Sequence, residues 1–233
     1  MAQTPTDHLQ RAVALMSQGH LASTEKEARL ALAQPSSQAV AYATLGTIRL
    51  RQKKLDESRQ FLAQALHLNP KLLGARLTLG QVNLRQGKTG MARQTLQDTF
   101  KLAPDNPAVR MNLAQLESMD GNYKASLELI SPIAESRRSS PAGLVLLAGT
   151  YLGLGNKDSA RKLVSDWMAL GEGVPPPLAI EFAKPLVEHE LAAEAVRVLE
   201  KAKWAGAAAR AARGPDLYMR CHVLTHPRIS SES

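Results

Sequence analysis

The sequence predicts an all-α protein, a solenoid of stacked helical hairpins. Two observations carry that expectation. Hydrophobic residues make up 44% of the 233 residues but aromatics only 4%, and Ala and Leu dominate the apolar set. Ala and Leu favour helices, whereas strands draw on β-branched and aromatic side chains. Sliding the chain against itself by 34 residues then brings like residues into register. A helix–turn–helix unit of that period marks a stacked array, in which neighbours supply the core that no unit can bury alone.

Four columns define the unit. Ala12, Gly46, Gly80, Ala114 and Ala148 are small and fall in the middle of helix A; Thr24, Ser58, Ala92, Ser126 and Ala160 are small at the start of helix B. Small side chains there let two helix backbones approach. Gly19, Lys53, Gly87, Gly121 and Gly155 lie at the end of helix A, where a left-handed residue stops the helix and turns the chain. Ala28, Leu62, Leu96, Ile130 and Val164 form an apolar column on helix B.

The units follow in order. The first covers about 5–38, the second 39–72 with a break near Lys53-Lys54, the third 73–106, the fourth 107–140 and the fifth 141–172. Pro70 and Pro104 close two of them and Pro35 and Pro141 mark other junctions, since proline cannot continue a helix. Beyond 172 the register slips by one. With that slip Ala183, Ala195, Leu199 and Ala202 define a degenerate sixth unit over 173–202, preceded by the rigid "GVPPP" and with Pro185 expected to kink its first helix. Residues 203–233 lack periodicity and read as a basic tail or a short capping helix. The ragged end suggests a piece of a longer protein.

These columns resemble the tetratricopeptide repeat family over residues 5–172. Unit two carries the clearest copy, with Tyr42, Leu45, Gly46, Ser58, Leu62, Ala65 and Pro70 at the positions of the family pattern. The resemblance implies a right-handed superhelix whose A helices line a concave groove for a peptide segment of a partner protein. Carried over by position, the groove takes Val40, Ala43, Thr47 and Arg51 from unit two, Gly74, Leu77, Gln81 and Arg85 from unit three, and Met111, Gln115 and Met119 from unit four. Arg51 and Arg85, one period apart, form a basic ladder suited to an acidic or carboxylate partner. Gln81 and Gln115 form an amide ladder suited to a peptide backbone, and Met111 and Met119 give adaptable apolar contacts. The sequence departs from the family late in helix A, where Leu15, Arg49, Asn83, Glu117 and Tyr151 stand and the three middle members are polar. Either these face the groove, or Leu50 and Leu84 take over the packing. The carboxylate clamp of some family members is missing: Asn112 could match one clamp Asn, but Leu77, Gln81, Ala142 and Leu146 occupy the other places.

Charge and motifs bound the function. The net charge of +8 is concentrated in residues 39–104, where eleven Lys/Arg face three acidic residues. Residues 105–200 carry a net −4. Such asymmetry favours an acidic partner or a polyanion. An RNA-binding helical repeat is the alternative that charge alone supports, but its relatives run one residue longer and few aromatics are present for base stacking. No phosphate loop, metalloprotease, nucleophile-elbow or paired-cysteine motif occurs, so no enzyme activity and no cofactor are expected. Cys221, His222 and His226 are the one candidate metal cluster, and Pro227 argues against the helix that would align them. A scaffold in the cytoplasm is the reading, with the docking region of a larger enzyme or envelope assembly machine as the other. An export signal missing from this chain would instead place it in the periplasm.

Overall fold

A left-handed residue at the end of each A helix, glycine in four of six, sets the architecture. In the computed structural model, residues 5–171 and 174–202 are described, and among them the regular structure is helical, with no strand. The helices are α1 (Pro5–Ser17), α2 (Leu21–Ala31), α3 (Pro35–Arg51), α4 (Leu55–Leu68), α5 (Leu73–Arg85), α6 (Thr89–Leu102), α7 (Pro107–Met119) and α8 (Tyr123–Ile130). A 3-10 turn at Ser131–Ile133 follows, then α9 (Ala134–Arg137), α10 (Pro141–Gly153), α11 (Lys157–Ala169), α12 (Pro176–Glu188) and α13 (Ala192–Lys201). The chain divides into two compact units, and the division falls after Leu113, inside α7.

Every A-to-B turn is the same motif. Gly19, Lys53, Gly87, Gly121 and Gly155 have φ between 61° and 80°, and Glu190, set 35 residues after Gly155 by the register slip, has φ 64°. In unit two, Lys53 N–H donates to the Leu50 carbonyl at 3.0 Å and Lys54 N–H to the Arg49 carbonyl at 2.9 Å. The same pair of bonds recurs at the other five turns, ending with Leu191 N–H to the Leu186 carbonyl at 2.8 Å. This is the Schellman closure, which satisfies carbonyls that the helix end would otherwise leave unbonded. Pro35, Pro107, Pro141 and Pro176 are first residues of A helices, where the missing N–H costs nothing.

In the first unit the hairpins α1–α2, α3–α4 and α5–α6 stack, with α1 against α3 and α3 against α5. The small columns are fully buried there: Ala12, Thr24, Ser58 and Ala92 have no exposed surface. A methyl group at Gly46 would lie 2.7 Å from Leu62 Cγ, and one at Gly80 would lie 2.9 Å from a Leu96 methyl. The Ser58 hydroxyl bridges the same hairpin by donating to the Gly46 carbonyl at 2.7 Å. Leu50, Leu62, Ala65, Ala75 and Val82 form one buried cluster, and Ala28, Leu45 and Ile48 another.

The second unit packs α10 against α11, α12 against α13, and α10 against both α8 and α12. Its unit-four B helix is interrupted: α8 ends at Ile130 and Pro132 sits in the 3-10 turn before α9. Gly153 is needed where the Tyr123 ring abuts α10, since a methyl there would lie 2.5 Å from the ring. Trp167 and Phe182 meet edge to face at 4.8 Å, both fully buried. α12 runs through Pro185 to Glu188, so the proline does not end the helix. Residues 203–233, with Cys221, His222 and His226, lie outside the described residues. No described helix is long and apolar enough to cross a membrane.

Candidate functional site

Three A helices of the first unit wall a groove of about 470 Å³. The spacing of helical positions puts Val40, Ala43, Thr47 and Arg51 on one stripe of α3, at i, i+3, i+7 and i+11. All four line the groove, as does Gly74 of α5. Leu77, Gln81, Arg85 and Met111, though in the same unit, do not line it, and Gln115 and Met119 belong to the second unit. The α1 wall, with Val13, Met16 and Ser17, was not among the residues read from sequence. The signal was available: Val13 and Ser17 stand one period before Thr47 and Arg51.

The walls are apolar and already bonded. Val13 is 64% exposed and Val40 37%. Thr44 and Thr47 donate their hydroxyls to the Val40 and Ala43 carbonyls one turn back, both at 2.9 Å, and Thr78 donates to Gly74 at 2.8 Å. Arg51 is the one charged residue in the lining, among the described residues.

The arginine ladder has a structural duty. Arg51 Nη1 donates to the Met16 carbonyl in the last turn of α1, at 3.1 Å. Arg85 Nη1 repeats the contact one unit on, reaching the Leu50 carbonyl in the last turn of α3 at 3.5 Å. Each cation thus sits at the C-terminal, negative end of the preceding A helix and ties two hairpins together. Both arginines are exposed, so their other donors face solvent. Gln81, expected to offer its amide to a peptide backbone, is engaged within the first unit: its Nε2 donates to Asn112 Oδ1 at 3.0 Å, and Asn112 in turn donates to the Ala108 carbonyl.

The polar residues late in helix A are buried. Arg49, Asn83 and Glu117 are only 8%, 1% and 8% exposed. Leu50 is buried as well, so the polar residue and its apolar neighbour share the interior, while Leu84 is half-buried. Arg49 forms a fork on Glu25 of α2, with Nη1 to Oε2 at 2.8 Å and Nη2 to Oε1 at 2.7 Å, and its Nε lies 2.7 Å from Glu57 Oε2 of α4. The Arg49 and Arg29 guanidiniums hold the Glu25 carboxyl down to about 2. Glu57 is also lowered, first by Lys54 and then by Arg49. In the second unit Asn122 Nδ2 donates to Glu117 Oε2 at 2.9 Å. Asn83 is the costly member, because its buried Oδ1 has no hydrogen-bond partner among the described residues. Arg49 thus ties three helices together, and Glu117 holds the turn that follows its own helix.

Among the described residues no group of three or more His, Cys, Asp or Glu side chains is placed to hold a metal ion. Residues 49–116 match the family profile described as tetratricopeptide repeat. No curated protein matches the sequence significantly. Among solved structures, PilW, described as a widely conserved type IV pilus biogenesis factor, aligns with TM-score 0.68 at 15% identity, covering 91% of this chain and 99% of that one. PilF of Pseudomonas aeruginosa aligns at TM-score 0.62 and 21% identity, over 79% of this chain and 82% of its own. YrrB, described as a TPR protein with an unusual peptide-binding site, aligns at TM-score 0.50 and 18% identity, over 70% of this chain and 84% of its own. At such identities the likeness establishes the helical-repeat fold alone.

Proposed function

We propose that this tetratricopeptide-repeat chain is a non-catalytic scaffold whose first unit takes a peptide segment of a partner protein in the α1–α3–α5 groove. The observation that carries the reading is the exposure of Val13 and Val40 on a largely apolar groove wall. Apolar surface gathered in a concavity, with a single charged group on its wall, has the composition of a site that holds another molecule. The repeat fold is in general an interaction scaffold, and stacking hairpins is what makes such a wall continuous. Leu77, Gln81, Arg85 and Met111 are proposed as further partner-binding surface of the first unit, and Gln115 and Met119 as surface of the second. The cytoplasm is the proposed compartment, in keeping with the single Cys221 of the sequence.

The test uses Val13→Glu/Val40→Glu rather than changes at Arg51 and Arg85, because those arginines also tie hairpins together. Both valines sit on exposed helix faces where glutamate is a good helix former. Wild type and variant, checked for equal helicity by circular dichroism, are used as bait in a nuclease-treated lysate. The expected result is a protein retained by wild type and lost by the variant. Equal retention by both would place the binding surface elsewhere, and capture abolished by nuclease would favour the RNA-binding alternative.

A further inference from the structure

We infer that the segment held in the first unit's groove is an acidic amphipathic helix rather than an extended strand, an inference that rests on the scaffold reading above. A strand presents one N–H and one C=O per residue, and those facing a wall need partners there or cost free energy on burial. The groove supplies few. Its walls are helices whose backbone groups are bonded internally, and the hydroxyl protons of Thr44, Thr47 and Thr78 are given to carbonyls of their own helices. Gln81, the amide best suited to a peptide backbone, is joined to Asn112 and does not line the groove. A helix arrives with its backbone bonds already made and needs from a wall only shape and apolar contact. Val13 and Val40 offer that contact to a stripe repeating at i, i+3, i+4 and i+7.

Charge decides the character of the other face. Arg51 is the sole charged residue among the described residues of the lining. Residues 39–104, which supply two of the three walls, carry a net +8. Its bond to Met16 uses Nη1 and leaves donors on an exposed guanidinium for a carboxylate. A partner helix with Glu or Asp flanking its apolar stripe is thereby steered in and set in register, and a lysine-rich one is repelled.

The experiment pans the full chain against two peptide libraries of equal length. One is patterned as a helix, apolar at i, i+3, i+4 and i+7; the other is patterned as a strand, with alternating apolar residues. Both take Glu or Lys at random elsewhere. Affinities of enriched peptides are measured by fluorescence anisotropy, and the helicity gained on binding by circular dichroism. The expected result is enrichment of Glu-rich, helix-patterned peptides. A proline at the centre of such a peptide, or Val13→Glu/Val40→Glu in the protein, is expected to weaken binding at least about tenfold. Dominance of strand-patterned peptides would overturn the helix inference and leave the scaffold reading standing. Dominance of Lys-rich helices would overturn the acidic assignment. If neither library yields a peptide that the groove variant loses, both the inference and the groove reading fall.

Discussion

The two units hold their interiors together with different chemistry. In the first, the interior late in helix A is tied by charge: Arg49 sits between Glu25 and Glu57, drawing three helices together. In the second, Trp167 and Phe182 fill the space between α11 and α12 with rings. The small-residue column varies as well, with Ala12 beside Gly46 and Gly80 in the first unit. Gly46 and Gly80 face Leu62 and Leu96, whereas Ala114 and Ala148 stand one half-repeat from the β-branched Ile130 and Val164. The lesson is that the repeats share their backbone turn, while the side chains that fill the interior are free to differ. The surplus of basic residues lies in the unit with the groove, and residues 105–200 are net acidic.

The sharpest way to break this comparison is to remove the ring. Trp167→Ala is expected to cost about 3–5 kcal/mol, the range for emptying a buried aromatic site, read as a lowered denaturant midpoint. Arg49→Ala should destabilise the first unit by about 2–3 kcal/mol. That is less than for a fully buried pair, because Glu57 is half exposed. A midpoint unchanged by either substitution would refute the corresponding tie.

Gly80→Leu should overpack the α5–α6 hairpin and cost about 1–3 kcal/mol. Pairing it with Leu96→Ala should recover part of the loss. A double variant no better than the single would show that Leu96 is not what the glycine makes room for.

Acid should weaken the Arg49 tie selectively. The Glu25 carboxyl is held at about 2, against an ordinary 4.5, by Arg49 and then Arg29. Its contribution is therefore present above about 4.5 and lost as pH falls from 4.5 toward 2. Thermal melts across that window should show a drop in wild type that is reduced in Arg49→Met. An identical drop in both would assign the acid sensitivity to other carboxylates.

The smallest expected effect compares the two turns that lack glycine. Lys53→Gly should relieve a left-handed side chain and stabilise by about 0.5–1 kcal/mol. Glu190→Gly should gain less, because Glu190 also accepts from Lys157 Nζ at 3.0 Å and that bond would be lost. Equal gains would mean that the ion pair contributes nothing.

Much of the fold was legible because its constraints are local. A residue at φ near +70° ends the helix whatever lies nearby, so the column of Gly19, Gly87, Gly121 and Gly155 marks the turns directly, and Lys53 could be placed by period alone. The site was legible in part. Helical geometry put Val40, Ala43, Thr47 and Arg51 on one stripe, and the structure brings them together with Gly74. The α1 wall escaped notice, although the same period pointed to Val13 and Ser17. The bonds of Arg51, Arg85 and Gln81 could not be read at all, since each depends on a carbonyl or amide roughly one period away in sequence.

By itself, then, the sequence determined the all-α repeat, its turns and its small-residue contacts. These follow from backbone sterics and from volume at fixed spacing. Only the tertiary structure decided where the polar column points and what the arginines hold. A side chain's partner is set by the neighbouring hairpin's position, and Arg49 is buried because Glu25 and Glu57 arrive there from two other helices.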